Sequence, residues 1–138
     1  MRKILSAAVA GLMLASPLMT GPVLAKTPLR DVPAIDDNML QVALALEISE
    51  KCGEIDARKL KGLNYLFGLK KKANALGYSD DEINAYRKSA DEKARIRKRG
   101  ETYVKSKGFD PKKAADLCAL GHAEIKQGSV IGSLLRAK

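Results

Sequence analysis

Two cysteines, Cys52 and Cys118, and a single histidine, His122, are the residues of this 138-residue chain best equipped for chemistry. His122 follows Cys118 by four, so a helix would place both on one face. Three kinds of chemistry suit such a set. With Cys52, and with Glu124 near in sequence, they could gather a zinc ion, although a structural site takes four ligands. A Cys–His pair could act as a nucleophile and its base. The two cysteines could instead form a disulfide, which consumes both thiols and removes the other options. No Cys-x-x-Cys spacing is present to tune a thiolate.

The N-terminus decides among these. Arg2 and Lys3 precede an apolar run from Ile4 to Met19, and Pro22-Val-Leu-Ala25 puts small Val23 and Ala25 at the −3 and −1 positions of a cleavage site. This is the pattern of a secretory signal peptide, cut after Ala25. Arg2-Lys3 is not a twin-arginine pair, so Sec-type export follows, and no cysteine at the cut offers a lipid attachment point. In an oxidising compartment such as the periplasm, Cys52 and Cys118 are expected to pair. His122 is then a residue flanking a helix packing seam. No metal, no cofactor and no catalytic residue is expected.

Other polar groups read as structural. Asp80, Asp81 and Glu82 cluster at what the pattern makes a helix N-terminus, as do Asp36 and Asp37, where acids suit the helix dipole. No glycine-rich phosphate loop, His-Glu-x-x-His or Gly-x-Ser-x-Gly motif occurs. The net charge of +9, reduced by loss of Arg2 and Lys3 with the signal, favours solubility and attracts polyanions. Outside the cytoplasm those are anionic envelope components rather than nucleic acid. The densest basic run holds Lys93, Arg95, Arg97, Lys98 and Arg99, with Lys70, Lys71 and Lys72 as a second cluster. At ~100° per residue the five cations of the run point all around a helix, and Glu92 and Glu101 offset part of them. A solvated helix is the favoured reading; a polyanion- or membrane-surface-binding patch is the alternative.

The elements that hold these residues follow from a recurring start pattern: an apolar residue, an Asp or Ser cap, then an apolar or small residue inside the helix. Residues 26–34, with two prolines, read as an extended leader, and 35–138 as one helical domain. Ile35-Asp36 opens a first helix that runs to about Cys52 and, apolar over much of its circumference, is the most buried. Ile55-Asp56 opens a second, ending near Leu76, in which Gly62 and Gly68 allow a neighbour to approach. Tyr78-Ser79 opens a third with a Ser-x-x-Glu capping box to Glu82; it is either continuous to Lys107 or bent near Gly100. Phe109-Asp110, with Pro111 at the first helical position, opens a fourth carrying Cys118 in its apolar stripe. Gly53, Gly77 and Gly108 serve as C-caps. A fifth, short helix lies within Ser129–Arg136, whose Val130, Ile131, Leu134 and Leu135 pack back on the bundle. If that tail is displaceable, its seat is a peptide site. No segment alternates with period two, so no strand is expected. The result is an all-α, four-helix bundle-like domain with a short C-terminal helix, stapled by Cys52–Cys118. No apolar run after the signal reaches the ~20 residues of a membrane span.

The segments Leu117-Cys-Ala-Leu-Gly-His-Ala-Glu-Ile125 and Gly128-Ser-Val-Ile-Gly-Ser-Leu-Leu-Arg136 resemble a family of small exported helical proteins from Rhodobacterales-type alphaproteobacteria, a domain of unknown function. The resemblance implies a periplasmic location, a helical fold and paired cysteines, and supplies no activity or ligand. The functional expectation is a non-enzymatic periplasmic binding or interaction module with an unidentified protein or an anionic envelope component as partner. The alternatives are a polyanion or membrane-surface binder through the basic residues, and a small periplasmic stress chaperone.

Overall fold

Pro33, whose fixed φ and missing N–H suit a first helical position, starts helix α1 (Pro33–Lys51) in the computed structural model, which describes residues 25–138. The expected signal peptide therefore lies outside the described residues, apart from Ala25. After α1 come strand β1 (Ile55–Ala57), helices α2 (Lys59–Ala75), α3 (Asp80–Lys88), α4 (Ala90–Ser106), α5 (Ala114–Gln127) and α6 (Val130–Ser133), and strand β2 (Leu135–Ala137). The domain is mostly helical, as expected, and α1 is its centre: α2, α4, α5, α6 and β1 all pack on it. Its inner face buries Val42, Leu44 and Ile48 against Val104 of α4, Leu117 and Leu120 of α5, and Ile131 of α6. A smaller cluster at the other end joins Leu29, Ile35, Ala73 and Tyr78. Among the described residues no helix is long and apolar enough to cross a membrane.

Several boundaries differ from expectation, each for a local reason. Residues 26–34 are not simply extended: Leu29–Asp31 form a 3-10 turn that buries Leu29, and the Tyr78 hydroxyl donates to the Thr27 carbonyl at 2.5 Å. Asp36 is not a cap, because α1 begins three residues earlier and turns it inward. The second helix does not open at Ile55-Asp56. Those residues form β1, which pairs antiparallel with β2 in the register Ile55 to Ala137 and Ala57 to Leu135. Each strand has only three residues, too few for a period-two pattern to stand out. Asp56 faces Arg136 of β2 and Lys138 just beyond it, at 3.8 and 3.5 Å, instead of capping a helix.

The expected third helix is two. The break falls at Ser89, not Gly100, and Ser89 restarts the chain by accepting a hydrogen bond from the Glu92 backbone N–H at 3.2 Å. This resets the helical phase, so α4 buries Ile96, Gly100 and Val104. The Ser79–Glu82 capping box is formed in full. Asp110 shapes a turn before α5: its carboxylate accepts from the Lys112 N–H at 2.9 Å, and the helix proper waits until Ala114. Of the expected glycine C-caps, Gly77 and Gly108 have positive φ and Gly53 does not.

Close helix approach occurs at glycines other than Gly62 and Gly68, around which there is open space. A methyl group on Gly121 would sit 2.6 Å from both Ile48 Cγ2 and Ile55 Cδ1. One on Gly132 would meet the Glu124 carbonyl oxygen at 2.0 Å, so α6 rests backbone to backbone on the end of α5. The segment carrying Ile131, Leu134 and Leu135 is therefore an integral part of the core, with each of these side chains buried. That overturns the idea of a displaceable tail.

Candidate functional site

Cys52 ends α1 and Cys118 lies on the inner side of α5, and the two are disulfide-bonded with their Cα atoms 5.1 Å apart. Glu54 lies close to the sulfurs, but bonded sulfurs are no longer the thiolates that bind metal. The remaining members of the imagined zinc set are dispersed. His122 is exposed, its Nε2 3.1 Å from Glu54 Oε2. Glu124 is buried on another side of α5 and accepts a hydrogen bond from the Tyr103 hydroxyl at 2.5 Å. Burial and the adjoining Glu124 carboxylate push the Tyr103 phenol up to about 12. Among the described residues no buried side-chain nitrogen or oxygen lacks a partner.

The main buried charge is Asp36, 2% exposed in the first turn of α1. Arg95 and Arg99, one turn apart on α4, both reach it, with Arg95 Nη1 3.0 Å from Oδ2. The Tyr86 hydroxyl of α3 donates to it at 2.5 Å. Arg95 also holds Glu92, which takes Arg30 from the N-terminal turn, and Arg99 holds Asp37 at 2.7 Å. Burial pushes the Asp36 carboxyl up, but hydrogen bonds from Arg95 and Tyr86 and the charges of both arginines outweigh it and leave the group below its ordinary value. Burial and the Asp36 carboxylate raise the Tyr86 phenol. The network ties α1, α3 and α4 together at one end of the domain. Asp36→Asn is expected to cost about 2–3 kcal/mol in urea unfolding, below the ~3–5 of a wholly buried pair because water reaches both arginines. Because the folded carboxyl titrates below its ordinary value of 3.8, its contribution is present in full above about pH 4. It disappears as pH falls through the lower, folded value. Equal wild-type and variant stabilities at pH 7 would contradict this assignment.

The expected basic patch is divided by the fold. Arg95 and Arg99 are spent on Asp36 and Asp37, and Lys70 pairs with Asp80 at 2.9 Å. Lys93, Arg97 and Lys98 are exposed on α4, and Lys71 and Lys72 on α2. Two of those, Lys93 and Arg97, stand at the rim of a cleft between α1 and α4 that sequence reasoning did not find. Its volume is about 340 Å³. Met39, Val42 and Leu46 of α1 face Ile96, Gly100 and Val104 of α4 across it, with Leu117 contributing from α5. Leu46 is 49% exposed at its edge, and Glu47 and Glu50 form the opposing, acidic rim. The cleft depends on the restart at Ser89, which turns Ile96 rather than Arg97 inward; a second Ser-x-x-Glu at Ser89–Glu92 is the sequence feature that announces it.

Six helices with α1 at their centre, an interhelical disulfide and a short two-stranded ribbon define a small helical domain with a cleft between α1 and α4. The chain belongs to the family of unknown function DUF5333, whose model matches residues 27–136. No curated protein matches it, and neither does any solved structure.

Proposed function

We propose that the protein is a non-enzymatic binding module of the periplasm whose ligand seat is the α1/α4 cleft. The observation that carries this reading is the cleft itself: about 340 Å³, apolar in its floor and charged only at its rims. Small-molecule sites are typically ~300–1,000 Å³, mostly apolar, with a few polar groups that orient the ligand. Glu47 and Glu50 on one rim, and Arg87, Lys93 and Arg97 beside Glu92 and Glu101 on the other, suit a compact apolar body bearing a charged group. The pairing of both cysteines and the exposed place of His122 support a binder over an enzyme. The location rests on the signal peptide pattern of residues 1–25.

An anilinonaphthalene sulfonate dye, which combines an apolar body with an anionic group, tests the seat. The folded protein with its disulfide intact is expected to bind it saturably. Ala43→Trp, on the cleft wall, is expected to weaken that binding about tenfold or more by filling the space. Undiminished dye binding by a variant with native helicity would refute the assignment.

A further inference from the structure

Helix α2 packs its inner side and leaves the outer one bare. Leu69 and Ala73 are buried, and the Tyr65 hydroxyl donates to Asn38 of α1. On the outside Leu60 is 80%, Leu63 51% and Phe67 62% exposed. At ~100° per residue these three fall within ~60° of one another, so they form one continuous apolar stripe. Lys59 and Lys70 flank it on one side and Lys61 and Lys72 on the other, while Lys71 continues its line toward the C-terminal end. The helix has five lysines and no acid. Among the described residues Lys59, Lys61, Lys71 and Lys72 form no ion pair.

A stripe of leucine and phenylalanine bracketed by lysines is the arrangement of a helix that lies in the plane of a bilayer interface. Such a helix sinks its apolar face ~5–10 Å below the headgroups and holds its cations at the level of the phosphates. We propose that α2 docks the folded protein on an anionic phospholipid surface. Charge complementarity selects this occupant. Two copies joined through this face would set lysines against lysines, whereas anionic headgroups neutralise them. No rearrangement is needed, because the inner face of α2 stays packed while the outer face inserts. The surface is separate from the α1/α4 cleft, so neither proposal depends on the other. It also differs from a bare polyanion site, which would not use Leu63 and Phe67.

Co-sedimentation with phosphatidylglycerol–phosphatidylcholine vesicles and with phosphatidylcholine vesicles, at low and high salt, tests this. The protein with its disulfide intact is expected to bind the anionic vesicles, less strongly as salt rises, and to leave the neutral ones unbound. Leu63→Ser with Phe67→Ser, and separately Lys61→Gln with Lys71→Gln, are each expected to reduce binding about tenfold or more. Arg97→Gln with Lys98→Gln, an equal loss of charge on α4, is expected to change it by less than about threefold. All these side chains are exposed, and unchanged far-ultraviolet circular dichroism confirms that each variant is folded. The proposal is overturned if the wild type does not bind, if the Leu63/Phe67 pair has no effect, or if the α2 and α4 charge pairs weaken binding equally. A dimer in sedimentation that Phe67→Ser dissolves would overturn it too, by showing a second copy on this face.

Discussion

Deletion of residues 129–138 is expected to abolish cooperative folding. Ile131, Leu134 and Leu135 are each no more than 3% exposed, and full burial of such a side chain contributes ~1.5–3 kcal/mol. Losing three of them removes ~5–9 kcal/mol, against the ~5–15 kcal/mol total of a small domain. The deletion also takes away β2, leaving β1 without a partner. The Arg58 N–H loses the Leu134 carbonyl, 2.8 Å away, as its acceptor. Ile48, Ile55 and Leu117, all essentially inaccessible to solvent, would face water. Circular dichroism and urea titration check this. A truncated chain with native helicity and a single sharp transition would show that the segment is an accessory after all.

The second large effect is that of the disulfide. Replacing both Cys52 and Cys118 by alanine is expected to lower stability by about 4 kcal/mol, the loop-closure entropy the unfolded chain regains when a bond spanning 66 positions is removed. Cys52 is 1% exposed beside Ile48 and Ile55, so a modest packing loss adds to this. Unlike the Asp36 effect, this one is independent of acid pH, because no titrating group is involved. The urea midpoint of the oxidised protein against that of the double variant measures it. Midpoints that differ by less than about 0.5 kcal/mol equivalent would mean that the unfolded chain is already compact around this loop.

Where the sequence spoke through local chemistry it was legible. Ser79 and Glu82 spell a capping box and form one; Gly77 and Gly108 end helices with positive φ; Cys52 and Cys118 meet. Where the outcome depended on contacts between distant segments it was not. Asp36 looks like any N-terminal helix acid until α4 brings two arginines to it. Ile55-Asp56 imitates a helix start because three-residue strands carry no period of their own, and only β2 makes them a strand. The restart at Ser89 lay within reach, since Ser89–Glu92 repeats the spacing of Ser79–Glu82. A single long helix continued in phase from Ile83 and Tyr86 would turn Arg97 and Glu101 inward, not Ile96 and Gly100. That shift of phase hid the cleft. Net charge does not show which cations are already answered by carboxylates, as Arg95 and Arg99 are.

The pairing of β1 with β2 also sets the timing of folding. Ile55 finds its strand partner only at Ala137, so the ribbon closes a loop comprising most of the described chain. Contacts of such long range form late, because the entropy of closing the loop comes before their reward. A chain still being synthesised lacks this closure. It also lacks the Ile131, Leu134 and Leu135 that complete the core. Helices α1 to α4 can flicker into existence during synthesis, but the domain cannot lock until residues 131–137 are available. The short ribbon thereby makes the arrival of residues 135–137 the event that sets the shape of the domain.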